Sequence, residues 1–159
     1  MDKILKLLDE NARLTNDQIA VMLGMTAAAV DEAIEKYERD GIICGYKALI
    51  DWEKVDREYV VARIELKVSP KRDHGFEEIA KRIAQFHEVE SVYLMSGGYD
   101  LAVTVSGKTF KEIALFVAQK LSTLDSVLST ATHFVLRKYK ERGVSYMNEE
   151  RDERSVTLL

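Results

Sequence analysis

The chain has 159 residues, 47% hydrophobic and 31% charged, with a formal net charge of −4. That balance excludes disorder as the main state, and the length allows one ordinary domain or two small ones. The acidic total advertises no general affinity for nucleic acid, the lone cysteine, Cys44, leaves no internal disulfide, and no apolar run reaches the roughly 20 residues that span a bilayer.

The start, MDKILKLLDEN, is too charged and its apolar run too short for a signal peptide, so a cytoplasmic protein is expected. Residues 1–45 carry a helical period. Ile4, Leu5 and Leu8 share one face of a first helix. Thr15 and Gln18 form a capping box for a second helix, which runs through Ile19, Ala20, Met22 and Leu23 to a terminal glycine, Gly24. Thr26 caps a third helix with Val30, Ala33, Ile34 and Tyr37 inside, closed by Gly41. A short helix, a glycine turn and a longer helix make the pattern of a helix-turn-helix, and a plain three-helix bundle fits it equally well. Cys44, after "GII", is expected as a small buried apolar residue. Residues 46–58 are polar and irregular and read as a short strand followed by a linker, with Trp52 as a packing anchor.

From Tyr59 the period becomes two. Tyr59 to Val68 alternates as a strand and Pro70 stops it. Gly75 to Phe86 is an amphipathic helix with Phe76, Ile79, Ala80, Ile83 and Phe86 inward. Strands follow at Val89–Met95 and Leu101–Ser106. Thr109 then caps a helix to about Leu121 with Phe110, Ile113, Ala114, Val117 and Leu121 inward, and Val127–Tyr139 supplies a fourth strand. The order β-α-β-β-α-β is that of a ferredoxin-like domain. The fold class is therefore α+β: an N-terminal three-helix domain (1–45), a linker (46–58), a ferredoxin-like domain (59–142) and a tail (143–159). Helices cover one face of such a sheet, so the other face is expected to meet a second copy of the chain. The alternation of Val60 to Lys67 does not say which face is which. The basic run RKYKER at 137–142 is expected to be a solvated strand end. The tail either adds a strand to a partner's sheet edge or is mobile.

The stretch MSGGYDLAVTV at 95–105 is the turn of a hairpin. Gly97 and Gly98 leave backbone N–H groups open to a close neighbour, which suits a carboxylate, and Asp100 suits an ammonium group. Ordinary turn chemistry explains the same residues.

Taken together, "ARLT" at 12–15, "LGMTAAAV" at 23–30, "YERDGIICGY" at 37–46, "GGYDLAV" at 97–103 and "TAT" at 130–132 resemble the Lrp/AsnC family of bacterial and archaeal regulators over nearly the whole chain. The resemblance implies a non-enzymatic transcriptional regulator. Its first domain would bind double-stranded DNA. Its second would form dimers that assemble into octamers and sense an amino acid or related small molecule. GGYD resembles the family's effector loop, which implies a ligand site formed by Gly97, Gly98, Tyr99 and Asp100 where two dimers meet. Thr130 and Thr132 match a paired threonine motif and would add hydroxyl contacts. No cofactor or metal is implied, and His74, His87 and His133 are scattered without ligand spacing.

The third helix departs from the pattern. Ala33 stands where the family usually has a basic residue. Residues 1–50 hold six Lys or Arg against nine Asp or Glu. An acidic helix is repelled by a duplex carrying one charge per roughly 1.7 Å. Thr26, Ala27 and Ala28 suit small base contacts such as a thymine methyl, and Arg13, Lys36, Arg39 and Lys47 are the basic candidates for phosphate. The alternative is a ligand-binding oligomer whose helix-turn-helix serves assembly. An enzyme is not expected, because the sequence offers no nucleophile–base pair and no metal cluster.

Overall fold

A computed structural model describes residues 2–55, 58–69 and 75–147. Pro70, His74 and the tail beyond Met147 lie outside these. The chain forms two compact units, one up to Leu49 and one from Ile50 onward.

The first unit has three helices, α1 (Lys3–Glu10), α2 (Asn16–Leu23) and α3 (Ala27–Arg39). Each begins at a side-chain cap. The Asp2 carboxylate accepts from the amides of Ile4 and Leu5. Thr15 and Gln18 close a reciprocal capping box. The Thr26 hydroxyl accepts from Ala29 N at 3.2 Å. Gly24 ends α2 in the left-handed region at φ 66°. After α3 the Ile42 amide reaches back to the Tyr37 carbonyl at 2.8 Å and the Gly41 amide to that of Glu38. This closure needs φ 70° at Gly41, a value costly to any residue with a Cβ. The core is Ile4, Ile19, Ala20 and Val30, packed by Leu7, Leu8, Leu23, Ala33, Ile34 and Tyr37. Two inward expectations fail: Met22 is 59% exposed, and Leu7 rather than Leu5 joins the core. On helices of eight residues a two-residue error in the assumed face leaves the apolar count unchanged, so period alone does not detect it.

The second unit begins with a single 3₁₀ turn, Trp52–Lys54, capped by Asp51. No strand forms among described residues 46–55, because a strand needs a partner there and this chain provides none. Then come β1 (Val60–Val68), α4 (Gly75–Ala84), β2 (Val89–Leu94), β3 (Leu101–Gly107), α5 (Phe110–Phe116), continued by a π-helical turn (Val117–Leu121), and β4 (Val127–Phe134). The four strands form one antiparallel sheet in the order β2-β3-β1-β4. This is the ferredoxin-like arrangement. Ala62, Ile64, Leu66 and Val68 of β1 and Leu101, Val103 and Val105 of β3 are buried. They form one core with Ile79, Ile83, Ile113, Phe116, Val117 and Leu121 of the helices. The even positions of β1 therefore face the helices, while Val61, Arg63, Glu65 and Lys67 lie on the open side.

Three expectations need correction here. Phe116 is buried, whereas Phe110 is 54% exposed and Ala114 is exposed. Phe110 sits at the rim, edge-on to Phe134 with ring centres 4.8 Å apart. The fourth strand ends at Phe134, not Tyr139. Residues 140–145 instead form a small hairpin, β5 (Lys140–Glu141) and β6 (Val144–Ser145). Its turn holds Arg142 at φ 47° and Gly143 at φ 85°, two successive left-handed residues of the kind that match strand twist. Cys44 is exposed, its thiol donating to the Gly41 carbonyl at 3.3 Å, because the α3 closure turns "GII" outward from the small core.

Candidate functional site

Two groups of residues concern function, one in each unit. In the first, Thr26, Ala27 and Ala28 open α3. The Thr26 hydroxyl is engaged as the helix cap, Ala27 packs against the core, and Ala28 is exposed. Lys36 and Arg39 are exposed in the last turns of the same helix. At 1.5 Å per residue they stand about 12–16 Å along the axis from Ala28. Arg13 is exposed in the α1–α2 connection, where Asn11 accepts from its amide at 3.0 Å. The structure thus brings the small residues together and holds the cations apart from them.

The acidity of α3 is partly answered by neighbours that sequence reading missed. The Asn16 amide donates to Asp31 Oδ1 at 2.7 Å. The Tyr46 hydroxyl donates to Glu38 Oε1 at 2.9 Å, and its own pKa is pushed up by burial and by that carboxylate. On the core side, the Tyr37 hydroxyl donates to Asp2 Oδ2 at 2.7 Å and holds that carboxyl below the usual carboxylate range. Thus α3 is tied to the N-cap of α1 and to the N-terminus of α2. These partners are 35 and 15 residues apart in the chain, so no local spacing announces them.

In the second unit, residues 95–100 join β2 to β3. Gly97 adopts φ 149°. At both Gly97 and Gly98 the space a Cβ would enter is open. Tyr99 and Asp100 are half-buried. The Asp100 amide donates to the Leu66 carbonyl at 2.9 Å, and its carboxylate Oδ2 accepts from Val68 N at 2.8 Å. Asp100 therefore ends the β1–β3 ladder with a side-chain oxygen in place of a carbonyl. Its other oxygen, Oδ1, has no hydrogen bond among the described residues. Thr130 and Thr132 lie on β4 opposite Leu66 and Ile64, on the helix-covered face and half-buried. Leu101, Leu66 and Thr130 form one row across three strands. The loop and Thr130 thus share one end of the sheet, with β1 between them, roughly 10 Å apart by strand spacing.

Residues 3–43 match the model of a winged helix-turn-helix DNA-binding domain, and residues 61–145 match that of the Lrp/AsnC ligand binding domain. The chain belongs to the Lrp/AsnC family. It is a DNA-binding transcriptional regulator with a second, ligand-binding domain. It is 51% identical to the HTH-type transcriptional regulator YugG of Bacillus subtilis, covering 97% of this chain and 93% of that protein. It is 26% identical to the leucine-responsive regulatory protein of Haemophilus influenzae over 87% of this chain and 83% of the other. Among solved structures, a Neisseria meningitidis transcriptional regulator in complex with L-methionine aligns with a TM-score of 0.70 and 26% identity, covering 89% and 93% of the two chains.

Elsewhere in this Lrp/AsnC chain one partly buried ion pair ties helix to sheet. Glu88, at the start of β2, accepts from Lys120 Nζ at 2.6 Å, and the ammonium also lies over the rings of Phe86 and Phe116. Burial alone would raise the Glu88 carboxyl, but the Lys120 hydrogen bond and neighbouring positive charge leave it below the usual range. His87 is 3.2 Å from Glu88, and His133 is 3.6 Å from Glu65 on the open sheet face. No group of three metal-ligating side chains occurs among the described residues. No helix there is long and apolar enough to cross a membrane.

Proposed function

We propose that this regulator changes its DNA affinity or its assembly in response to an amino acid held at the 95–100 loop. One observation carries the reading: Gly97 and Gly98 leave backbone open at the hairpin tip, beside an Asp100 carboxylate with one oxygen held and the other free. Backbone N–H groups suit the carboxylate of a zwitterion and the free oxygen suits its ammonium. Thr130 and Thr132 extend the same end of the sheet. A relative that binds L-methionine supports the choice of ligand class.

The open sheet face, with Val61, Arg63, Glu65 and Lys67, is covered by a second copy, and dimers associate further to an octamer that meets around the loop. Each helix-turn-helix enters the major groove with the start of α3, Thr26 to Ala28, while Arg13, Lys36 and Arg39 serve phosphates. Affinity per subunit is weak, and avidity across the oligomer supplies the rest. The protein works in the cytoplasm and carries out no catalysis. A mobility-shift series on genomic fragments, with and without each common amino acid, tests this. Retardation that one amino acid alters is the expected result. A shift indifferent to every amino acid overturns the sensing reading.

A further inference from the structure

The start of α3 offers a duplex few free groups. The Thr26 hydroxyl is engaged as the helix cap and Ala27 packs on the core, so Ala28 is the first outward side chain. At about 100° per residue, Ala28, Glu32, Glu35 and Arg39 fall in one sector about 60° wide, opposite the buried Val30. All four are exposed. The first polar member of this outward stripe is Glu32, about 6 Å along the axis from Ala28. Glu35 lies a further turn on, past the N-terminal residues with which a recognition helix meets base edges.

The carboxylates of α3 are unequally held. Asp31 accepts from the Asn16 side-chain amide at 2.7 Å and Glu38 from the Tyr46 hydroxyl at 2.9 Å. Glu32 has no hydrogen bond or ion pair among the described residues, although Lys36 stands one turn further along. In the first two turns of α3 it is, among the described residues, the one outward polar side chain with both acceptor oxygens free.

We propose that Glu32 is a specificity-determining residue that reads a cytosine in the major groove. The proposal rests on the entry of α3 into that groove argued above. An ionised carboxylate only accepts hydrogen bonds. In the major groove guanine and thymine present acceptors alone and repel it. Adenine donates from N6, but its N7 acceptor stands alongside. Cytosine presents its N4 amine with no acceptor of its own beside it, and is the base that a carboxylate takes. A wrong base leaves Glu32 desolvated and unpaired, so the charge that weakens attraction to phosphates in general also sharpens the choice among sequences. Removing it raises affinity for unrelated DNA and lowers discrimination.

The full-length protein is used to select from a duplex library with a randomised core of roughly two helical turns, at low salt. Glu32→Ala, Glu32→Gln and Glu35→Ala are run alongside, each checked by circular dichroism. Wild type and Glu35→Ala should enrich the same site with a fixed C·G pair. Glu32→Ala should lose the preference at that pair alone, and Glu32→Gln should move it to adenine, which glutamine takes bidentately. On the enriched site the cytosine is then replaced by 2-pyrimidinone, which lacks only the N4 amine. Wild type should weaken by at least about fivefold and Glu32→Ala by less than about twofold. An enriched site that Glu32→Ala leaves unchanged, or equal weakening of both proteins by 2-pyrimidinone, overturns the proposal and leaves α3 in the groove. If no fragment is retained even at low salt, the groove reading itself falls, and this proposal with it.

Discussion

The carboxylate of Asp100 accepts the amide N–H of Val68 at 2.8 Å, replacing the backbone carbonyl that would otherwise continue the β1–β3 ladder. Asp100 therefore has a structural task whatever else it binds. Asp100→Ala strands a partly buried N–H and should destabilise the fold by about 1–3 kcal/mol in urea unfolding. Asp100→Asn keeps an acceptor of the same size and should cost less than about 1.5 kcal/mol. The asparagine variant is thus the one to use for ligand work. If the loop holds the ammonium of an amino acid, calorimetry should show affinity falling by roughly 1.5–3 kcal/mol, the worth of a charge-assisted bond. A loop that is only a turn shows the stability change and an unaltered affinity.

Lys120 and Glu88 tie the π-helical turn to the start of β2. Lys120→Met leaves the Glu88 side chain, 12% exposed, without its ammonium partner, and should cost about 1–3 kcal/mol at pH 7. The pH dependence has a definite sign. The folded-state pKa of Glu88 is lowered, so its contribution is fully present above the unfolded carboxylate value of about 4.3 and is lost as pH falls through the lowered value. Wild type and variant should therefore converge in stability toward the acid end of a pH series.

On DNA, replacing both Lys36 and Arg39 with alanine should weaken binding to all sequences alike. The slope of log affinity against log salt should flatten by about two for each helix engaged. Glu32→Gln, on the exposed face of α3, should strengthen binding by removing a like charge from the phosphates. Unchanged affinity in the double alanine variant would move the phosphate surface elsewhere.

Cys44 should react with a thiol reagent such as Ellman's in the native protein without denaturant, since it is exposed. Reaction only after unfolding would mean that assembly covers residues 41–45.

Local chemistry determined much of this protein from its sequence. Thr15, Gln18, Gly24, Thr26 and Gly41 mark helix ends because caps and left-handed closures act within a few residues. The order β-α-β-β-α-β follows from hydrophobic period, which is likewise local. What only the tertiary structure decided involves residues far apart in the chain. The alternation of β1 sets Ala62, Ile64, Leu66 and Val68 against Arg63, Glu65 and Lys67, and it is the packing of α4 and α5 that shows the apolar row to be the covered one. Strand β4 ends at Phe134, and residues 140–145 pair with each other across the Arg142–Gly143 turn instead of extending it. Asp100 faces Val68, Asn16 faces Asp31 and Lys120 faces Glu88 across 32, 15 and 32 residues. Such pairs exist only once packing has brought the segments together, and no spacing in the sequence encodes them.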